Sequence, residues 1–480
     1  MNIEVFNTHI ELSPYVAGDL PSLEALYTAT DTHTQTEFPC GYILEEGKLY
    51  VPSGTPIGRL ELWRGEQVVY NRDSDPEDDM SREHIALYPL RDEIQVESCH
   101  FLTSHPNHQL ALNLVTGFGK TFVTASAICK LGKKALIITH TDGLKTQWMV
   151  NTFLNMFDFM KSEIRNIDSS AAMEAIVDGL QQPADVYFIN HQTLRSYLTS
   201  KGIFAFQQFF KKLKIGIKVY DESHLEFANI LMVDSFSNTN RTWYLTATFD
   251  RSNKSESKCF QRAFSSLSAY GEEESKKLVE KHIVYHVCNY NSRPAWAHTK
   301  NVVRFNGMSA ATYGKYAFFD DPNQSAYTIF KLLLEKMQDI EGKILIFVPL
   351  IDAVDEVAKK IKQDFPDKTV GRYHSKTDAD EKRSAINKDI IVSTIKSCGT
   401  GKDIPGLRVL ICAEPIASRV QTQQLLGRLR PFIDKEGNKK DTYFFDLVDR
   451  GFQPMSWWFN ARFKKVEELA KTVINLDLNS

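Results

Sequence analysis

Beyond about residue 85, short apolar runs alternate with amphipathic stretches. ALNLV (Ala111 to Val115), KALIITH (Lys134 to His140), DVYFIN (Asp185 to Asn190), GIKVYDE (Gly216 to Glu222) and RTWYLTAT (Arg241 to Thr248) have the length and β-branched content of buried parallel strands. Helical segments separate them. Lys120 to Leu131 is one, and Gly132 is placed to end it. A second series holds HIVYHVCNY (His282 to Tyr290), KILIFVPL (Lys343 to Leu350), DIIVSTI (Asp389 to Ile395), LRVLICAEP (Leu407 to Pro415) and DTYFFDLVD (Asp441 to Asp449). Two such series predict two tandem α/β domains with doubly wound parallel sheets.

The front of the chain has a different texture. Its first 40 or so residues are weakly patterned. GYILEEGKLYVPSG and IGRLELWRGEQVVYN then read as short strands broken at Gly47, Gly54 and Gly65. A small α+β or β-rich domain is expected here. DSDPEDD (Asp73 to Asp79) is acidic and aperiodic and reads as a solvated linker. The expected domains are therefore residues 1–84, 85–275 and 276–480, the last ending in a helix. Near that end Trp457, Trp458 and Phe459 read as core aromatics in preference to a stacking wedge.

Charge sharpens the division. The 480 residues carry 57 Lys and Arg against 60 Asp and Glu, which excludes a polycation that simply coats nucleic acid. Residues 1–84 hold 5 basic and 16 acidic side chains, and the remainder holds 52 and 44. The body can attract a polyanion, whereas the acidic front piece is a poor phosphate binder and suits either a protein partner or contact with the basic face of the body. No apolar run approaches the ~18 residues of a membrane span, so no membrane partner is expected. The seven cysteines are scattered and form no CxxC pair, which fits a reducing cytoplasm.

Two segments carry chemistry. LVTGFGKT (Leu114 to Thr121) follows an apolar run and opens a helix, the setting a phosphate loop requires. Gly117 and Gly119 allow a tight turn whose N–H groups face phosphate oxygens. Lys120 supplies a point charge, and Thr121 offers a hydroxyl to Mg²⁺. Leu114 stands where the general pattern has glycine. VYDESHL (Val219 to Leu225) ends an apolar run in two acids: Asp221 can hold Mg²⁺ through water, and Glu222 can polarise the attacking water.

These pieces resemble superfamily 2 helicases of the DExH type, and the resemblance extends from about Leu90 to Asp449. LRDEIQ (Leu90 to Gln95) is similar to the element whose Gln reads adenine. LIITHTDGLKTQW (Leu136 to Trp148) and FINHQTL (Phe188 to Leu194) resemble motifs lining the nucleic-acid track. LTATFDR (Leu245 to Arg251) resembles LTATPxR, with Phe249 in place of Pro. In the second series, IIVSTIKSCGTGKDIPGL (Ile390 to Leu407) is similar to motif V. QQLLGRLR (Gln423 to Arg430) resembles motif VI, with its second Arg one residue early. The P-loop Leu, the QW pair and the Arg after TAT are similar to XPB-like and UvsW-type phage branch-migration DNA helicases.

The resemblance implies two RecA-like lobes, ATP with Mg²⁺, and a division of labour. Gln95, Gly117, Gly119, Lys120, Thr121 and Asp403 would bind nucleotide, Thr121 and Asp221 the metal. Lys120, Asp221, Glu222, Gln424, Arg428 and Arg430 would serve hydrolysis, the two arginines meeting the γ-phosphate. Thr141, Thr193 and Thr394 would contact nucleic-acid phosphates, although a Thr after a strand is otherwise a cap or turn residue. His224, Thr246, Thr248 and Arg251 would couple the two activities. The implied protein is a monomeric ATP-dependent DNA helicase acting on forked or junction DNA in the cytoplasm. An RNA helicase and an ATP-gated clamp are the alternatives.

Overall fold

The computed structural model describes the chain except residues 1, 16–18, 31–35, 59, 61–67, 72–73, 116, 247–253, 279–280, 305–306, 399–403 and 479–480. It divides into two compact units, Met1–Leu278 and Val279–Ser480.

The first unit is built on a seven-stranded sheet in the order Ile164–Ile167, Val186–Asn190, Ala135–Thr139, Ile217–Tyr220, Arg241–Thr246, Gln109–Asn113, Ser268–Tyr270. Every pairing in it is parallel. Inner strands such as ALIIT are buried at every position, which is why they read as continuous apolar runs. The edge strand Ile164–Ile167 is buried only at its two isoleucines, with Arg165 and Asn166 between them, and so offers no apolar run to read. Lys120–Leu131 is a helix, closed by Gly132 at φ 63° with its N–H on the carbonyls of Ile128 and Cys129.

The front residues belong to this unit. A five-stranded sheet runs Ile43–Glu45, Lys48–Pro52, His9–Ser13, Asn2–Val5, Val68–Tyr70. The weakly patterned first residues thus supply two of its inner strands. Ile3, Ile10, Leu12, Leu49 and Val51 share one buried cluster with Leu136, Ile138, Tyr220 and Tyr244 of the large sheet's unit. A buried polar chain crosses the same seam. Ser53 donates to Gln109, whose amide donates to Tyr244, whose hydroxyl donates to Asp234. Asp234 also pairs with the fully buried Lys218 at 2.7 Å. Thr8 Oγ1 donates to the carbonyls of Asp234 and Ser237.

The segment expected to be a solvated linker is hydrogen-bonded in place. Asp75 N–H donates to the Asn238 carbonyl and its carboxylate accepts from Asn238 N–H, Asp78 N–H donates to the Lys214 carbonyl, and Met80 N–H to that of Gly132. Its acids are matched by Lys133 and Lys134, which pair with Glu77, Asp79 and Asp78. Opposite charge on the docking surface, absent from any local pattern, makes this stretch ordered.

The second unit has a seven-stranded parallel sheet in the order Val370–Tyr373, Ile390–Ser393, Lys343–Phe347, Leu407–Cys412, Thr442–Asp449, Ile283–Tyr290, Thr472–Asp477. The helix Gln453–Leu469 follows, and beyond it Thr472–Asp477 adds an edge strand that the sequence reading did not include. Arg462 on that helix is buried, pairing with Asp446 and donating to Tyr285. Phe459 is in the core, but Trp457 is 58% exposed, which corrects its reading as core. Helical periodicity turns Trp457 outward while Met455 and Phe459 face in. Among the described residues no helix is long and apolar enough to cross a membrane.

Candidate nucleotide site and nucleic-acid track

In the first unit the candidate residues gather at the carboxyl ends of neighbouring strands, where open α/β sheets bind ligands. The strand Gln109–Asn113 runs into the phosphate loop. Leu114 is fully buried, and a Cβ on Gly271 would come within 2.5 Å of its side chain. Its position in the P-loop is thus occupied by a core contact that glycine could not make. Gly117 and Gly119 sit at φ 97° and 77°, in the left-handed region that favours glycine. A Cβ on Gly119 would also lie 2.7 Å from the Gln95 amide nitrogen. The helix from Lys120 has no side chain capping its first N–H groups, the arrangement that leaves them for an anion.

Lys120 Nζ donates to the Leu114 carbonyl at 2.8 Å, inside the loop. Burial holds its pKa below the usual lysine range despite the nearby charges of Glu222 and Asp221. Thr121 is half-buried on the first turn. Gln95 is buried, donates to the Phe118 carbonyl at 3.0 Å and accepts from Arg91 N–H at 2.8 Å. Its amide therefore lies against the phosphate loop.

Ile217–Tyr220 delivers Asp221 and Glu222. Asp221 is buried, and burial, reinforced by the Glu222 charge, pushes its pKa up to about 6. Both its oxygens are engaged: Oδ2 accepts from the Trp148 indole at 2.8 Å and Oδ1 from Glu222 N–H at 3.0 Å. Glu222 adopts φ 50°, a costly conformation for a residue with a Cβ and one found at functional sites. Ser223 N–H on the Leu245 carbonyl ties this turn to the next strand. His224 Nδ1 meets Thr246 Oγ1 at 3.0 Å and lies 3.4 Å from Glu222 Oε2. Glu222 Oε2 is buried without a hydrogen-bond partner, as is Ser223 Oγ. Buried orphan oxygens beside a phosphate loop suit a hard, water-carrying cation, so this donor set fits Mg²⁺.

The track residues are more ordinary. Thr141 caps the helix Asp142–Thr146, accepting from Leu144 N–H at 3.3 Å. Thr193 is half-buried near the start of the helical stretch His191–Leu213, which is broken by a kink at Gly202. Asn190, which the sequence reading did not single out, joins the two motifs. It accepts from Thr139 at 2.8 Å and donates to Asp142 at 2.7 Å. Trp148, the second residue of the QW pair, is likewise one whose partner no local spacing indicates.

In the second unit, Thr394 is buried and bonded to Ser397. Gln424 lies on the helix Arg419–Leu426, which Ser418 caps. The helix stops at Gly427, so Arg428 and Arg430 stand in the turn beyond it, the first half-buried and the second exposed. Arg428 is close enough for its charge to act on Tyr373. Thr248, Arg251 and Asp403 lie outside the described residues.

Comparison with known proteins agrees with this layout. Residues 81–251 match the family described as type III restriction enzyme, res subunit, and residues 326–430 match the helicase conserved C-terminal domain. Transcript termination protein A18 of Yaba monkey tumor virus (strain VR587) is 22% identical over 409 residues, 80% of this chain and 78% of that protein. The A18 protein of Yaba-like disease virus is 21% identical over 361 residues, 72% of this chain and 70% of that protein. Among solved structures, a fragment of a putative HsdR subunit of a type I restriction enzyme from Vibrio vulnificus YJ016 superposes with TM-score 0.54. It is 13% identical and covers 90% of this chain and 76% of its own. Dbp5 of S. cerevisiae superposes at 0.51, with 14% identity over 80% and 89% of the two chains. The fold is therefore that of tandem RecA-like lobes.

Proposed function

The chain is a superfamily 2 helicase, and from that premise we propose that it is an ATP-driven motor that remodels forked or junction DNA. The observation that carries the motor reading is the meeting of Lys120, Asp221 and Glu222 at one end of the first unit's sheet, with Trp148 and Glu222 N–H fixing the Asp221 carboxylate.

Each side chain then has a task. Lys120 leaves the Leu114 carbonyl for the β- and γ-phosphates. The uncapped N–H groups after Gly119 receive phosphate oxygens. Glu222, whose Oε2 has no hydrogen-bond partner, would accept the proton of the attacking water. His224 joins Glu222 to Thr246 at the end of the next strand. Mg²⁺, held by Asp221 and Thr121, would neutralise charge on the transferred phosphate. Arg428 and Arg430 are assigned to the γ-phosphate by resemblance. Thr141, Thr193 and Thr394 would meet the nucleic-acid backbone, which positions a strand without reading its sequence.

The preference for branched DNA rests on the P-loop Leu, the QW pair and the Arg after TAT. The acidic front sheet is read as a surface for a protein partner. A second reading has its own support: two viral relatives spanning most of this chain are named transcript termination proteins. On that reading the motor displaces RNA from a template. ATP turnover measured with single-stranded DNA, duplex, fork, four-way junction, RNA and RNA–DNA hybrid separates the two. Strongest stimulation by forks and junctions supports the first. Strongest stimulation by RNA or hybrid overturns it in favour of the second.

A further inference from the structure

Tryptophan is highly buried on average, yet in the second unit Trp296 is 77% and Trp457 58% exposed. Both follow the same end of the same two strands. Ile283–Tyr290 and Thr442–Asp449 are parallel neighbours with Tyr290 opposite Asp449, and the chain reaches Trp296 shortly after the first and Trp457 shortly after the second.

The two exits are locked together. Ser292 donates through both its N–H and its hydroxyl to the buried Asp449, at 3.1 and 2.6 Å. A Cβ on Gly451 would lie 2.6 Å from Pro294, so the two loops are in contact. Arg450 donates to Asn289 from the first strand and to Ser456, the residue before Trp457. Arg293 is held at φ 51°. The exposed rings therefore stand on a fixed base, and little order has to be gained when something stacks on them.

Charge selects the occupant. Among the described residues the Arg450 guanidinium donates only to the neutral Asn289 and Ser456, which leaves some of its donors unused. Arg293 and Lys300 are exposed, and Lys300 follows Trp296 by one helical turn. Among the described residues none of these three cations is paired with a carboxylate. Flat aromatic faces among unneutralised cations suit a chain of phosphates carrying unpaired bases.

We infer that Trp296 and Trp457, with Arg293, Arg450 and Lys300, form a stacking site for unpaired bases of a single-stranded polynucleotide. The site rests on the reading of nucleic acid as substrate. Trp457 has a route to the candidate hydrolytic machinery, because its helix is tied to the segment carrying Gln424 by Arg419 Nε on the Ala461 carbonyl and Arg462 Nε on the Ile416 carbonyl.

The test is a fluorescence-anisotropy titration of the full chain with labelled oligo-dT, oligo-U and an abasic strand of equal length. Trp296→Ala and Trp457→Ala should each weaken binding of the preferred base-bearing strand at least about fivefold, the lower end of base stacking on an aromatic. Neither should change binding of the abasic strand, and Trp457→Phe should recover part of the loss. Circular dichroism confirms that the variants fold. The ranking of oligo-dT and oligo-U by the wild type identifies the polymer. Wild-type affinity in both alanine variants would overturn the site while leaving the motor reading intact. Equal losses on base-bearing and abasic strands would also overturn it. A wild type that binds neither polymer would remove the nucleic-acid reading itself.

Discussion

The indole N–H of Trp148 lies 2.8 Å from Oδ2 of Asp221, so a track motif touches the carboxylate assigned to Mg²⁺. Trp148 is fully buried in the π-helical turn Gln147–Leu154, a distortion that often marks function. The turn continues the helix capped by Thr141, so only a few residues separate the proposed track contact from the partner of the proposed metal ligand.

Trp148→Phe keeps an aromatic, though smaller, side chain and removes the donor. Outer partners of metal ligands typically matter ~10–100-fold in metal affinity or activity. ATP turnover should therefore need more Mg²⁺ for half-maximal rate, by about tenfold or more, while the variant stays folded. A Mg²⁺ titration of the steady-state rate checks this. An unchanged Mg²⁺ requirement would reduce the bond to packing.

Lys120→Ala should cost ~10²–10³ in turnover, the loss typical of a charge-stabilising contact made in the transition state. Thermal stability should hold, because Lys120 is bonded to a loop carbonyl and not set in a core ion pair. Turnover near wild type would dismiss the phosphate-loop assignment.

Glu222→Gln keeps the size of the side chain but cannot take a proton. Nucleotide should still bind and hydrolysis should fall by about 10²-fold or more. Nucleic acid should be retained more tightly with ATP than without. Nucleotide affinity from equilibrium dialysis, read beside single-turnover rates, separates the two effects.

What the sequence made legible was whatever short spacing encodes. Helix Lys120–Leu131 was readable because Gly119 and Gly132 bracket it, and the acids at Asp221 because an apolar strand precedes them. Long-range relations were not. Trp148 and Asp221 are far apart in the chain, and nothing local in QW names a carboxylate as its partner. The front strands are only four or five residues long, and their burial comes from another element's face. The acidic run before Met80 read as solvated because the lysines that neutralise it, Lys133 and Lys134, lie elsewhere. Trp457 was misread because counting aromatics near a domain end does not say which side of a helix they occupy.

Stability should depend on pH through His191. Burial drives its pKa down to about 4, and neither ring nitrogen has a hydrogen bond. The folded state keeps it neutral while the unfolded chain takes up a proton below the ordinary value near 6.5. The unfolded state thus binds more protons between about pH 4 and 6.5, and stability falls as pH drops through that window, by about 1.4 kcal/mol per pH unit. His191→Phe can keep the stack on Tyr220, whose ring lies at 5.8 Å and 12°. At pH 5 the variant should gain about 2 kcal/mol over wild type relative to their difference at pH 8. Urea unfolding at the two pH values measures this, and identical pH slopes would contradict it.

Removing residues 1–84 tests whether the front sheet is an accessory or a structural part. Every proposed hydrolytic residue lies beyond it, so the sequence alone suggests that phosphate-loop chemistry would survive. The packing argues otherwise. Deletion strips Ile10, Leu12, Leu49 and Val51 from the cluster they share with Leu136 and Tyr220, and it removes Thr8 and Ser53 from the buried chain around Asp234 and Gln109. It also uncovers the Lys218–Asp234 pair, which is buried in the intact chain. Arg82 and His84 would be lost from Asp158, Glu163 and Asp185 as well. Losses of this kind take up a large part of the ~5–15 kcal/mol by which domains are stable. The truncated chain should aggregate or unfold well below the wild-type temperature, with ATP turnover lost alongside its fold. A soluble truncated protein with full ATP turnover would show that the seam between the two sheets is dispensable.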